Sequence, residues 1–285
     1  MKRGALLDRC TFPAPGSTAV AAVSGGADSL ALLALAVDAG LRVTAVHVDH
    51  GLRPGSADEA DAVRAAAVEL GAAFRAERVE VERGPNLEAR ARAARQAALP
   101  PGAMTGHTAD DQAETVLLNL VRGAGTDGLA AMRQGPTKPI LALRRSETRA
   151  LCAARGFTPL EDPSNADPAH RRNRMRHEVL PLLDDVAARD VAAVLARGAS
   201  LLAEDAALLD CLAERIDPTD AAALAEAPPA LARRALRRLL GGDHPPDAAA
   251  VERVLAVARG ERLATEVAGG LRVRRTAGRL VLSAP

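Results

Sequence analysis

The sequence predicts an α/β fold, a doubly wound parallel sheet, followed by a smaller mainly helical C-terminal domain with a terminal β-hairpin. Three observations predict it. Short β-compatible apolar runs alternate with helical segments four times before residue 125, helical periodicity fills most of 186–259, and the last stretch, RLATEVAGGLRVRRTAGRLVLS, alternates around glycines. A length of 285 residues sets an expectation of two domains. The change of pattern places them at 1–185 and 186–285.

The elements follow in order. TAVAAVS, from Thr18, is a short apolar strand that runs into two glycines, and Asp28 to Ala39 reads as a buried helix of Leu and Ala. The alternation then repeats. RVTAVHV near 42–48 precedes a helix from Ser56 to Leu70, FRAERVEV near 74–81 precedes one from Asn86 to Leu99, and AMTGH precedes one from Asp110 to Val121. Four βα units in a row require crossover helices and therefore a parallel sheet. Beyond Gly125 come Gly- and Pro-punctuated loops, a helix after Ser146 and the arginine-dense RRNRMR from Arg171 to Arg176. From Val186 to Arg259, breaks at Pro218, Pro228 to Pro229 and Gly241 to Pro246 predict several short helices.

Composition narrows the function. Hydrophobic residues at 48% and charged residues at 26% exclude wholesale disorder and fibrous architectures. Lys+Arg 37 against Asp+Glu 36 gives a net charge of +1, so a nucleic-acid partner must be met by local basic patches. With three Phe and no Tyr or Trp, an unstacked base would rest on arginine or aliphatic surface. Cys10, Cys152 and Cys211 are too scattered for a disulfide framework or a paired redox motif. The N-terminal segment has no continuous apolar stretch, and LALLALAV from Leu30 to Val37 is too short to span a bilayer. The expectation is a cytoplasmic protein with no membrane contact.

The strongest chemical signal is the hexapeptide Ser24, Gly25, Gly26, Ala27, Asp28, Ser29 at the end of the first strand and the start of the first crossover helix. A bare Gly-Gly turn with a polar helix cap has a purely structural reading. The full hexapeptide at this position adds a phosphate reading. Glycines let backbone approach a ligand, the helix start offers unpaired N–H groups, the two serines add hydroxyls, and Asp28 is placed to hold Mg2+ on the phosphates. The hexapeptide is neither a Walker A loop, since it has no GK[ST], nor the GxGxxG dinucleotide fingerprint.

On these residues the chain resembles the pyrophosphate-loop ATPases, whose SGGxDS loop holds ATP for attack on its α-phosphate. The remaining ordered motifs resemble the tRNA(Ile)-lysidine synthase family: HVDHGLR at His47 to Arg53, ARAAR at Ala91 to Arg95, GHTADDQAET at Gly106 to Thr115, RGAGTDGL at Arg122 to Leu129, and EDPSNAD followed by RRNRMR between Glu161 and Arg176. The resemblance covers about the first 185 residues. It implies an adenine nucleotide alpha hydrolase-like fold and an ATP- and Mg2+-dependent ligase. That ligase joins free L-lysine to C2 of cytidine 34 in tRNA(Ile) with a CAU anticodon, through an adenylated cytidine.

The resemblance also implies the site. Ser24 to Ser29, His50 and His107 contact the nucleotide, and Asp28 is the metal residue. Asp111 and Glu114, three apart on one helical face, form an anionic cup for the lysine amine; otherwise they are acids complementing a helix start. Arg92 and Arg174 clamp phosphate or the intermediate. Where the family usually has an aromatic after ARxxR, this chain has Gln96. The short chain matches the compact form of the family with one C-terminal domain. There, Arg233, Arg234, Arg237 and Arg238 on one helix, with the four arginines and no acid of the last 19 residues, are candidate RNA-backbone contacts, and a homodimer through these helices stays open.

Other readings are weighed against this one, among them a glutamine-fed amidotransferase, for which no Cys and His module stands beside the loop. His47 and His50 suggest zinc by count, but they lack a third ligand at suitable spacing, which favours packing or hydrogen bonding at a strand end. A tRNA thiolase would need a cysteine pair or cluster. A non-catalytic ATP-binding module would leave the acids and arginines as surface.

Overall fold

The computed structural model describes residues 3–49, 56–80, 84, 87–160, 167–241 and 246–283. It divides into two compact units, Met1–Leu201 and Leu202–Pro285. In the first, a short helix α1 (Arg3–Leu7) precedes β1 (Thr18–Ala22), α2 (Ala27–Asp38), β2 (Arg42–Asp49), α3 (Ser56–Glu69), β3 (Ala73–Arg78) and α4 (Leu87–Ala98). The strands pair in parallel in the order β1-β2-β3, with Ala22 opposite Val46 and Asp49 opposite Arg78. The sheet is thus an α/β crossover sheet, as the alternation demands.

The fourth βα unit is reduced. Met104 forms a single parallel bridge to Ala21 on the free edge of β1, exchanging bonds of 2.9 Å (Ala22 N–H to Met104 carbonyl) and 2.8 Å (Met104 N–H to Val20 carbonyl). Pro100, Pro101 and Gly102, which precede Ala103 and Met104, and Gly106 after them, keep the segment from extending into a ladder. The bridge still does what a fourth strand would do. It delivers the chain to α5 (Ala109–Val121) at the same end of the sheet as the hexapeptide.

The core lies around α2. Leu30, Leu32, Leu33 and Leu35 are buried, and the helix has no polar face because the sheet lies on one side and α7 (Arg145–Ala154) packs on another. Between α5 and α7 lies the single turn α6 (Thr126–Leu129). Beyond α7 come α8 (Arg171–Arg174), a π-helical turn at Met175–Val179, α9 (Leu180–Ala187) and α10 (Val191–Ala213). Leu180, Ala192 and Leu195 pack with Ala113 and Leu117 of α5. That packing ties α9 and the first half of α10 to the sheet unit, so the units divide inside α10 rather than near the pattern change at Asp185. Among the described residues, no helix is long and apolar enough to cross a membrane.

The second unit contains the end of α10 with α11 (Ala221–Glu226), α12 (Pro229–Leu239), α13 (Ala248–Ala258) and an antiparallel sheet β4 (Ala264–Glu266), β5 (Arg272–Thr276), β6 (Arg279–Ser283). The expected terminal hairpin is β5–β6, enlarged by β4. Asp220 and Asp247 cap α11 and α13 through their side chains. Leu224, Leu236, Val254, Leu255 and Val273 form the core. Of the four α12 arginines, Arg233 pairs with Glu252 (2.5 Å), Arg234 with Asp210 (2.5 Å), and Arg238 donates to the Ile216 carbonyl (3.2 Å). Arg272 and Arg274, two apart on β5, are exposed.

Candidate active site

The hexapeptide forms the turn from β1 into α2. Gly25 has φ +86°, the left-handed region that glycine enters without cost, and its carbonyl accepts the Leu160 N–H at 3.0 Å. A Cβ on Gly25 would meet Leu160 Cδ1 at 2.5 Å. Gly26 caps α2 without a side chain, so no side chain competes for the N–H groups of the first turn. Inside the turn, Ser29 Oγ donates to the Gly26 carbonyl (2.8 Å) and accepts the Ser24 N–H (3.2 Å), which fixes the loop before any anion arrives. The same first turn carries Asp28.

The neighbouring element enters at Gly106, where a Cβ would meet the Asp28 carbonyl oxygen at 2.7 Å. Only glycine permits so close an approach, and it brings the start of α5 against the start of α2. Thr105 Oγ1 lies 2.8 Å from His107 Nδ1. Asp111, in the first turn of α5, accepts the Thr108 N–H and hydroxyl on Oδ2, both at 2.9 Å. That is the structural role foreseen for such an acid. Its other oxygen, Oδ1, faces the site.

Helix α7 supplies what the sequence reading did not single out. Its entry is pinned by Asp110, which accepts the Arg145 N–H (2.7 Å) and two bonds from the Arg144 guanidinium (3.1 and 2.9 Å), and by Glu147, which accepts the Arg144 N–H (2.8 Å). So held, the Arg145 guanidinium reaches Asp111 Oδ1 (3.0 Å), Glu114 Oε1 (3.2 Å) and Asp28 Oδ2 (3.5 Å). Thr148, one turn along, donates a short hydrogen bond to Asp28.

The RRNRMR run contributes two arginines of its own. Arg172 Nε and Arg176 Nε each sit 2.7 Å from a Glu114 oxygen, and their Nη2 atoms lie 3.3 and 3.6 Å from Asp111 Oδ1. Glu114 is fully buried beneath them, at 0% exposure. Arg174, the member expected in the site, is exposed and pairs with Glu178 at 2.8 Å. Helical geometry explains the sorting: residues four apart share a face, and the one between them points away.

The structure therefore brings together Asp28, Asp111 and Glu114 and adds Arg145, Arg172, Arg176 and Thr148. Arg174 stands outside this cluster. Arg92 lies on α4 with its side chain outside the described residues, and His50 lies outside them altogether. His47 is buried, and its Nδ1 donates to the Val23 carbonyl at 2.9 Å, as expected for a histidine at a strand end. A signal for the missed residues existed. Arg172 and Arg176 have helical spacing, and Arg144-Arg145 precede Ser-Glu-Thr at a helix start.

Electrostatics separates the acids. Burial pushes the Asp111 carboxyl up, but the guanidiniums of Arg145 and Arg172 and the bonds from Thr108 outweigh it and hold the group below the ordinary carboxylate range. Asp110 is lowered likewise against its own burial, by Arg144 and the Arg145 N–H. Asp28 goes the other way: burial dominates, and its carboxyl lies above the ordinary range despite Thr148 and Arg145. The two lowered acids contribute stability that is present above their unfolded values and lost as pH falls through the folded ones. Urea midpoints are thus expected to drop on acidification below pH ~4. Asp110→Asn should flatten that drop; an unchanged profile would remove Asp110 from the acid-sensitive set.

With this geometry in place, the comparisons with known proteins are informative. The PP-loop domain family matches residues 5–183. A tRNA(Ile)-lysidine synthase of Thermobifida fusca is 43% identical over 303 residues, covering 94% of this chain and 92% of that one. The chain belongs to the tRNA(Ile)-lysidine synthase family. Another member, from Nocardia farcinica, is 45% identical over 245 residues, covering 80% of this chain and 77% of its own. Among solved structures, the U34-tRNA thiolase NcsA from Methanococcus maripaludis with its [4Fe-4S] cluster matches with a TM-score of 0.54 at 18% identity, over 67% of this chain and 73% of that one. That likeness shows the shared fold. Membership of this PP-loop family implies the use of ATP.

Proposed function

We propose that the chain ligates free L-lysine to C2 of cytidine 34 in the CAU anticodon of tRNA(Ile), at the expense of ATP, in the cytoplasm. Family membership makes it a PP-loop enzyme of tRNA modification. The observation that carries the finer reading is the continuity of the site. One arginine, Arg145, touches both the acid of the phosphate loop and the acid pair of α5, so a phosphate locus and an amine locus share one cluster.

The chemistry runs in two displacements. Cytosine O2 forms a bond to the α-phosphorus, and the bond from that phosphorus to pyrophosphate breaks. The ε-nitrogen of lysine then bonds to C2, the C2–O2 bond breaks, AMP leaves with that oxygen, and the nitrogen gives up a proton. Adenylation is needed because a ring carbonyl oxygen is a poor leaving group.

The Ser24–Ser29 turn and the α2 N-terminus hold the phosphates, with His50 and His107 on the nucleoside side. Asp111 and Glu114 orient the lysine amine, and an acid in that position accepts its proton. Arg92 and the exposed Arg174 are assigned to RNA phosphate or the adenylated intermediate. Mg2+ is held in such sites by one or two carboxylates plus substrate phosphates, and Asp28, with Oδ2 contacted only distantly at 3.5 Å, fits that mode. When bound, the ion neutralises phosphate charge.

The cysteines do not favour sulfur transfer. They are free thiols, and burial pushes those of Cys10 and Cys152 up to about 11, away from the thiolate that such chemistry uses. The decisive experiment incubates the protein with ATP, isotopically labelled lysine and tRNA(Ile), followed by nucleoside mass analysis. A labelled lysine adduct of one cytidine is expected. ATP binding without any labelled nucleoside would discard the ligase in favour of a binding module.

A further inference from the structure

Asp111 and Glu114 are not open to a cation in this structure, because arginines already occupy them. Three guanidiniums face the two carboxylates, with Asp28 as a third acid at the far side of Arg145, so the cluster is charge-balanced without any further cation. An incoming lysine ammonium would add a fourth cation and find the oxygens engaged. The three arginines are not equivalent. Arg172 and Arg176 bind Glu114 through their Nε atoms at 2.7 Å and are turned wholly toward the α5 acids. Arg145 makes longer bonds, 3.0 Å to Asp111 and 3.2 Å to Glu114, and also reaches toward Asp28 at the phosphate loop.

We propose that Arg145 is a built-in occupant of the amine subsite, which leaves it for the polyphosphate of a bound nucleotide and so makes lysine binding follow nucleotide binding. The inference rests on the reading of Asp111 and Glu114 as the lysine subsite. Its physical basis is an exchange of partners. A guanidinium binds phosphate oxygens through two parallel bonds, and a triphosphate at the start of α2 brings several negative charges to the Asp28 end of the Arg145 side chain.

Departure of Arg145 leaves two arginines on two carboxylates, a neutral pair. It also takes one N–H contact from Asp111 Oδ1 and two from Glu114 Oε1. A lysine ammonium has three N–H donors and the same single charge, so it replaces what was withdrawn. The backbone of Arg145 stays in place meanwhile, because Asp110 holds its N–H at 2.7 Å and the Arg144 guanidinium holds Asp110. Arg145 is thus a positioning residue whose side chain moves on a fixed base.

The test is calorimetric titration of lysine into the full chain, with tRNA(Ile) in every arm, using α,β-methylene ATP with Mg2+, AMP, or no nucleotide. For the wild type, the methylene analogue is expected to tighten lysine binding by about tenfold or more, and AMP, which lacks the polyphosphate, is not. Arg145→Met should bind lysine without nucleotide about as tightly as the wild type does with it, so the coupling factor falls to about one.

Equal lysine affinity with and without the analogue in the wild type overturns the proposal, as does coupling that survives in Arg145→Met. If that variant does not fold, the wild-type titrations are sufficient to decide between coupling and its absence. The outcomes also separate the two readings. Labelled lysine entering tRNA without nucleotide coupling removes the Arg145 exchange and leaves the ligase; no lysine binding in any arm, with no labelled product, removes both.

Discussion

Glu114→Gln is expected to lose about 3–5 kcal/mol of folding stability. Glu114 has no exposed surface, and its two oxygens accept from Arg145, Arg172 and Arg176. Glutamine preserves the volume, so the loss isolates charge. It leaves three guanidiniums sharing Asp111, with Asp28 beyond Arg145, beside a neutral amide, half of which is itself a donor and faces donors. Urea unfolding at pH 7 with an unchanged denaturant slope would measure the loss through the midpoint. A decrease below about 1 kcal/mol would mean that water or Asp111 satisfies the arginines, and the cluster would not be the organiser of α5, α7 and α8.

Asp28→Asn is expected to do the reverse, lowering lysine incorporation by about 10²–10³-fold, a loss typical of removing one preorganised charge-stabilising group, without lowering the urea midpoint at pH 7. Burial holds the Asp28 carboxyl above its ordinary range. A group with a raised folded value contributes stability below its unfolded value and loses it as pH rises through the folded one. Burying the charged form of this side chain is therefore a cost to the fold, and the neutral amide avoids it. The amide keeps an acceptor for the Thr148 hydroxyl but gives up the charge that would hold Mg2+ on the phosphates. Parallel loss of stability and activity would assign Asp28 to the scaffold, and activity within tenfold of the wild type would remove it from the phosphate locus.

Much of this molecule was legible because local chemistry carried it. The Ser24–Ser29 turn is dictated by residues adjacent in sequence: a strand end, a glycine at positive φ, and a helix start. The Leu and Ala run of α2 identifies a helix covered on all sides, and the structure covers it. Asp111 and Glu114 fall on one face of α5 because their spacing fixes it. The reduced fourth strand and the third C-terminal strand were harder to see. A single bridge at Met104 and a three-residue β4 carry almost no periodic signal, and both depend on pairing with distant chain.

The sequence by itself determined the family, the crossover sheet, the glycine turn Ser24–Ser29 and the positions of the neighbouring acids, since each rests on contiguous residues or on helical period. Only tertiary structure decided which arginines meet those acids. Arg145, Arg172 and Arg176 come from segments 31 to 62 residues away from Glu114, while Arg174, in the same run, is turned outward to Glu178. A charged run looks uniform in sequence because charge has no direction there. Folding supplies the direction, through the helical phase that separates Arg174 from its neighbours and through the Gly106 contact that brings two helix starts together.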